Sequence, residues 1–330
     1  MNLEPEDITV AITVFNRRQF LKQAISSALE QTVPVRVIVV EDCGPDAGME
    51  AFVKQEFGTR IQYIRNPQRR GLFGNWNACI ENCRTPWLSI LHDDDYLTSK
   101  FAEAMIALHR QAPDCGLYFG ETTMVDGTGK ILSYDVHPPL STPWRRIPLE
   151  DTLAITPFPF PGQLFKVEHA RALGGFRDSS QYCGDWEMWC NLIAHSGGAK
   201  TRVTVAINRS HGGLERGTSK IFLNGRLRPL SFVQQKRILH LLRQSGKRAP
   251  FDRASFLRAS PMSASYLIRH GAGITPRLLR YNVGLLLRSP SPSASHAVFK
   301  AASRFLGVRF VNMASLLVRL ISRQRVQSGK

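Results

Sequence analysis

Apolar runs of strand length alternate with helix-patterned segments through the first third of this chain. Ile8 to Phe15 is uncharged and β-rich, and Arg17 to Gln31 follows with Phe20, Leu21, Ala24, Ile25, Ala28 and Leu29 on one helical stripe. Val35 to Val40, apolar but for Arg36, is closed by Glu41, Asp42, Cys43, Gly44, Pro45 and Asp46. Ala47 to Phe57 reads as a helix, Ile61 to Ile64 as a short strand and Leu72 to Cys83 as a third helix. A fourth strand begins at Trp87 and ends at His92. A strand can meet a parallel neighbour only after a crossover, so this alternation requires parallel β-α-β units. The expected fold is α/β, a mainly parallel sheet flanked by helices.

The fourth strand ends in three carboxylates, Asp93, Asp94 and Asp95. Adjacent like charges raise one another's pKa, and a divalent cation removes that penalty by taking carboxylate oxygens as hard ligands. The carboxyl ends of strands in open α/β sheets are also where ligands bind. A metal-nucleotide site is one reading of this tip; a solvated acidic loop or the first turn of a helix is the other.

Beyond the tip, Ser99 to Gln111 reads as a helix, Cys115 to Gly120 as a strand and Val125 to Lys130 as a hairpin-like turn. Prolines crowd residues 136 to 161, which argues for loop structure. A helix at Val167 to Leu173, a turn at Gly174 and Gly175, a helix over Trp186 to His195 and a strand at Thr201 to Ile207 follow. After about Gly225 the pattern becomes helices separated by Pro and Gly.

Charge divides the chain at the same place. The total is +17. Residues 1–224 hold 23 Lys+Arg and 25 Asp+Glu, a net of −2, and residues 225–330 hold 20 and 1, a net of +19. Between Ser295 and Arg325 apolar residues recur at three- and four-residue intervals among basic ones, which suits an amphipathic helix on an anionic membrane surface or a helical cap packed on the preceding domain. The six cysteines show no C-x-x-C pair, which fits reduced thiols in a cytoplasmic protein. The acidic N-terminus lacks the apolar core of a secretory signal, and no uncharged apolar run reaches the roughly 18 residues of a transmembrane helix. The expected location is cytoplasmic, peripheral on the cytoplasmic face of the membrane.

Over roughly residues 7 to 215 these motifs, in this order, resemble family 2 glycosyltransferases of the GT-A type. The carrying segments are Thr13-Val14-Phe15-Asn16, Glu41 to Asp46, Gly71-Leu72-Phe73-Gly74-Asn75-Trp76-Asn77, Asp93 to Asp95, Leu173-Gly174-Gly175-Phe176 and Gly184-Asp185-Trp186. Two positions depart from the family: His92 stands where many relatives carry the first acid of a longer run, and Gly184 replaces the usual Glu. A Q-x-x-R-W motif of the processive members is missing, which implies addition of one sugar per encounter.

The resemblance implies a GT-A, Rossmann-like catalytic domain over 1–224, its nucleotide-sugar half about 1–120 and acceptor half about 121–224, followed by the basic helical region 225–330. It implies Mg²⁺ or Mn²⁺ on Asp95 with Asp93, and Asp94 at ribose hydroxyls. Asp42 would accept from the nucleobase, or else only form its turn. Thr13, Phe15, Asn16, Gly71 and Asn75 would line the nucleotide, and Arg70 or His211 would reach the phosphates. Asp185 would be the general base of an inverting transfer, beside Trp186 at the acceptor, with Glu187 as its rival and a helix cap as its alternative role. The implied partners are a nucleotide-sugar donor, a glycan or lipid-linked acceptor in surface polysaccharide or glycolipid assembly, and an anionic membrane met by the tail. A sugar-phosphate nucleotidyltransferase fits less well, because Asn16, Arg17, Arg18 and Gln19 contain no glycine-rich phosphate loop. A non-catalytic nucleic-acid binder would explain the tail and leave the three aspartates without a purpose, so no nucleic acid is expected.

Overall fold

The computed structural model describes residues 3–134, 140–149, 159–177 and 184–210. All of these belong to one compact unit, Met1–Thr152 with Thr156–Gly212. His211 and the region 225–330 lie outside the described residues.

The chain begins β1 (Ile8–Val14), α1 (Arg18–Leu29), β2 (Arg36–Glu41), α2 (Met49–Phe57), β3 (Gln62–Arg65), α3 (Gly71–Asn82) and β4 (Trp87–His92). It continues β5 (Tyr96–Leu97), α4 (Phe101–Gln111), β6 (Leu117–Asp126), β7 (Ile131–Tyr134) and β8 (Trp144–Arg146). Then come β9 (Gln163–Lys166), α5 (Val167–Ala172), α6 (Gly184–Ser196) and β10 (Gly198–Ser210). These strands form one mixed sheet in the order β3-β2-β1-β4-β9-β6-β10-β5, with β7 on β6 and β8 on β10. The first four are parallel, and β6 and β10 are parallel to each other. Antiparallel β9 joins the two groups.

Apolar residues divide between the two faces with period two. In β1, Val10, Ile12 and Val14 pack with α1, α2 and α4 through Leu21, Ile25, Met49, Val53, Phe101 and Met105, whereas Ala11 faces the opposite core. That second core takes Phe73 and Trp76 of α3, Ala170 of α5 and Trp189 and Ile193 of α6. Burying each large apolar side chain contributes about 1.5–3 kcal/mol, so neither face can turn to water without unfolding the sheet.

Four strands go beyond the sequence expectation. β5 is only two residues long, β7 ends just before the stretch 136–161 expected to be loop, and β8 lies inside it, held to β10, so that stretch is not all loop. β9 begins with Gln163, whose buried side-chain amide substitutes for missing ladder bonds: Nε2 donates to the Ile90 carbonyl at 2.9 Å, and Oε1 accepts from Ser89 Oγ at 3.1 Å and the Ile90 N–H at 3.3 Å. β6 runs on to Asp126, whose carboxylate caps the expected turn by accepting the Thr128 and Lys130 N–H groups. What matters for the site is register. Val14 lies opposite Glu41 and Thr13 opposite His92, so β1, β2 and β4 end together on one edge.

Candidate active site

At that edge the first region is built around Asp42, next after β2 and buried. Oδ1 accepts the Arg70 N–H at 2.7 Å and Asn66 Nδ2 at 3.3 Å; Oδ2 accepts the Gly71 N–H at 2.9 Å. The carboxylate therefore anchors the free N–H groups that open α3, a favourable place for negative charge. Asn75 extends the same web, donating Nδ2 to the Val40 carbonyl at 3.2 Å and accepting from Asn66 Nδ2 at 2.9 Å. Gly71 has φ +75, in the left-handed region that suits glycine. Gly44 is required for another reason: a Cβ there would run into the Phe15 carbonyl oxygen. The Arg69 guanidinium stacks 4.5 Å from the centroid of the Phe15 ring. Thr13 is buried, its hydroxyl 3.4 Å from the Leu91 carbonyl, and Asn16 is exposed at the rim. Arg70, expected at the phosphates, instead forks onto Glu81 at 2.6 and 2.7 Å.

The second region is the acidic tip. Asp95 is buried and tied to β10: Oδ1 accepts the Arg209 N–H at 2.8 Å, and Asn208 Nδ2 lies 3.2 and 3.3 Å from its two oxygens. Arg209 steadies the turn from behind, donating Nε to the Asp94 carbonyl at 3.0 Å and Nη2 to Gln23 Oε1 at 2.7 Å, with its guanidinium over the Phe20 and Tyr96 rings. Arg17 crosses the front, its Nη2 2.7 Å from Asp93 Oδ1 and its Nη1 paired with Asp94 Oδ2.

His92 stacks against Phe160 at 4.2 Å between ring centroids and lies 5.6 Å from Trp76, nearly parallel to both. Its Nδ1 is 3.7 Å from Asp95 Oδ2, and its buried Nε2 meets no hydrogen-bond partner among the described residues. One donor atom each from His92, Asp94 and Asp95 lies within 4.8 Å of the others. This grouping differs from the expected pair of Asp95 with Asp93: Asp93 lies outside it and shares Arg17 with Asp94. Two carboxylates and an imidazole suit Mg²⁺ or, with the nitrogen ligand, Mn²⁺. The residues thus fit a divalent cation.

Electrostatics marks the same cluster. Burial, helped by the Asp94 charge and opposed by Arg17, pushes the Asp93 carboxyl up to about 6. Burial raises Asp95 against the pull of His92. For His92 burial works the other way, yet the hydrogen bond and charge of Asp95, with Asp94 and Asp93, hold its pKa above the ordinary value.

Asp185 is the second residue of α6. Desolvation lifts its carboxyl from the ordinary 3.8 to about 6, against the opposing effects of the Trp186 N–H and the His92 charge. That His92 influences it brings Asp185 into the field of the tip. Its Oδ1 accepts the N–H of the next residue, Trp186, at 2.8 Å, from inside α6 and not from the N-cap position. Trp186 is buried. Glu187, the rival, is buried with Oε1 3.7 Å from Arg177 Nη1. Gly184 has a steric explanation: a Cβ there would sit 2.5 Å from the Phe73 ring, which fills the space a larger residue would need.

Sequence reasoning did not assign roles to Arg17, Trp76, Phe160, Asn208 or Arg209. Arg17 adjoins the Asn16 motif, and Arg209 precedes two residues later the His211 that was singled out. Their partners lie 77 and more than 110 residues away along the chain, so local pattern carried no signal.

Residues 9–161 match the Glycosyl transferase family 2 sequence family. A glycosyltransferase of Rickettsia bellii (strain RML369-C) is 24% identical over 275 residues, covering 79% of this chain and 38% of the relative. The succinoglycan biosynthesis protein ExoO of Rhizobium meliloti (strain 1021) is 37% identical over 90 residues, 27% of this chain and 26% of that one. The chain thus spans well under half the length of either curated relative. The crystal structure of S. aureus TarS 1-349 in complex with UDP-GlcNAc superposes with a TM-score of 0.56 at 12% identity, covering 90% of this chain and 80% of that chain. At that identity the likeness is one of fold.

Proposed function

We propose that this chain is a family 2 glycosyltransferase that moves a sugar from a nucleotide-sugar donor to a hydroxyl of a glycan or lipid-linked acceptor, with inversion; the match of residues 9–161 to the Glycosyl transferase family 2 sequence family supports this reading. One observation carries the reading: His92, Asp94 and Asp95 gather within 4.8 Å at the shared carboxyl edge of parallel strands. Kinship with a succinoglycan biosynthesis protein supports a role in surface polysaccharide or glycolipid assembly. The net charge of +19 over 225–330 supports a place against an anionic membrane, where a lipid-linked acceptor would be met. Among the described residues no helix is long and apolar enough to cross a membrane.

His92, Asp94 and Asp95 would hold Mg²⁺ or Mn²⁺, which when bound neutralises the charge that develops on a departing diphosphate. The chain's own residues do the rest. The web of Asp42, Asn66 and Asn75 fixes the opening of α3 and so the wall of the nucleotide cleft. In this reading the base and ribose lie along Thr13, Phe15, Asn16 and Gly71, with Asp93 and Asp94 at the ribose end. Asp185 takes the proton of the acceptor hydroxyl, its Oδ1 being steadied by the Trp186 N–H. A carboxylate titrating at about 6 is ionised at neutral pH and still basic enough to help, and such assistance is typically worth about 10²–10⁴ in rate.

The test is a thermal-shift screen of UDP-, GDP- and dTDP-sugars with Mn²⁺, on the wild-type chain and on Asp94→Asn. Asp95→Ala is the poorer variant, because it also cuts the ties to Asn208 and Arg209. One nucleotide class should stabilise the wild type only with metal, and Asp94→Asn should lose that response. Stabilisation by no class, or equal stabilisation of the variant, would contradict the reading.

A further inference from the structure

Arg17 opens onto the site from the turn between β1 and α1 and has so far been given no task. Its guanidinium spans the acidic tip, one arm 2.7 Å from Asp93 Oδ1 and the other on Asp94 Oδ2. Asp94 also belongs to the trio of donors with His92 and Asp95. One carboxylate is therefore offered to two cations, a guanidinium and a metal ion. Asp93 lies outside the trio and can keep its arm of Arg17 whichever of them holds Asp94.

The arrangement has a physical reason. Three consecutive buried carboxylates repel one another, and without a counter-charge the tip would either protonate or open. Arg209 does not supply that charge to the carboxylates, because its guanidinium is directed at the Asp94 carbonyl and Gln23. Arg17 does, through a planar fork whose spacing suits carboxylate and phosphate oxygens alike. Its side chain is partly open to solvent, so it can leave Asp94 without first breaking a packed core.

Resting on the metal-site reading above, we propose that Arg17 is the resident counter-ion of the tip: it holds Asp94 until a divalent cation enters, yields that carboxylate to the ion, and turns the freed arm to the donor's diphosphate. Arg17 and the metal then compete when no nucleotide is present and cooperate when one is. Linkage requires both effects to be reciprocal.

The experiment measures Mn²⁺ binding by electron paramagnetic resonance for the wild-type chain, Arg17→Gln, Arg17→Lys and Asp94→Asn, first with metal alone and then with inorganic pyrophosphate. Arg17→Gln should bind Mn²⁺ alone more tightly, on the order of tenfold, and bind pyrophosphate with Mn²⁺ more weakly by a similar factor. Arg17→Lys, which keeps the charge and loses the fork, should fall between and covers the case in which the glutamine variant folds poorly. Opposite signs for the two ligands are what general damage to the fold would not produce. If Mn²⁺ binding is unchanged or weaker in both Arg17 variants while Asp94→Asn abolishes it, the proposal fails and the metal site stands. If no chain binds Mn²⁺ at all, the metal site itself is refuted.

Discussion

Two aspartate sites end strands on either side of β1 in one sheet, and they are treated in opposite ways. Asp42, after β2, has both oxygens engaged by N–H groups at the start of α3. The tip after β4 carries like charges side by side, carboxyls lifted out of their ordinary range, and an imidazole nitrogen with no partner among the described residues. Asp42 is satisfied within the fold and gives the cleft its shape. At the tip Asp95 is fixed to β10 by Asn208 and the Arg209 N–H, but Asp93 and Asp94 share Arg17, whose side chain is partly open to solvent, and unsatisfied polar groups in a buried setting are where a ligand gains most. The difference teaches that a carboxylate at a strand end is no sign of chemistry until its partners are known.

The largest expected effect tests the chemical side of that contrast. Asp185→Asn should lower turnover about 10²–10⁴-fold while leaving donor-induced stabilisation intact, measured by product formation and thermal shift on one sample. Retained turnover would remove Asp185 from its role. The structural side comes next: Asp42→Ala should cost about 1–3 kcal/mol in denaturant unfolding, because it leaves the part-buried N–H groups of Arg70 and Gly71 without their carboxylate. If Asp42→Ala instead spared stability and abolished only nucleotide binding, the division between the two sites would be wrong.

A pH series sharpens the comparison. Asp185 titrates at about 6 when folded and near 3.8 when unfolded, so the stability it contributes is whole below about pH 4 and is lost as pH rises through 6. Asp185→Asn should therefore be more stable than wild type by about 1–3 kcal/mol at pH 8 and lose that advantage near pH 4. Turnover of the wild type should rise with pH through about 6. The smallest effect belongs to Arg70. Its pair with Glu81 is on the surface, so Arg70→Ala should cost about 1 kcal/mol or less and barely change donor affinity, by calorimetry.

The strand and helix alternation was legible because its apolar runs are long and nearly free of charge, and the cores of β1, β2 and β4 follow it residue by residue. β9 was not legible: it is four residues long, follows a proline-rich stretch and starts on Gln163, whose polarity reads as loop until the Ser89 and Ile90 groups it satisfies are seen. The tip itself was plain, since three consecutive aspartates closing an apolar strand are hard to place otherwise. Its internal order was not. That His92 and Asp94 gather with Asp95, while Asp93 stays outside that group and shares Arg17 with Asp94, depends on the direction each side chain takes at the turn and on an arginine 77 residues from Asp94 along the chain. The same limit applies to Arg70, whose neighbour Glu81 is eleven residues on and three turns of helix distant.

The most direct measurement is the anomalous difference map of a crystal soaked with Mn²⁺ and a nucleoside diphosphate. The account predicts one manganese peak bonded at about 2.2 Å to oxygens of Asp94 and Asp95 and a nitrogen of His92, with the diphosphate on the same ion. A nucleotide bound in the cleft with no manganese at the tip, or with the ion held elsewhere, would contradict it.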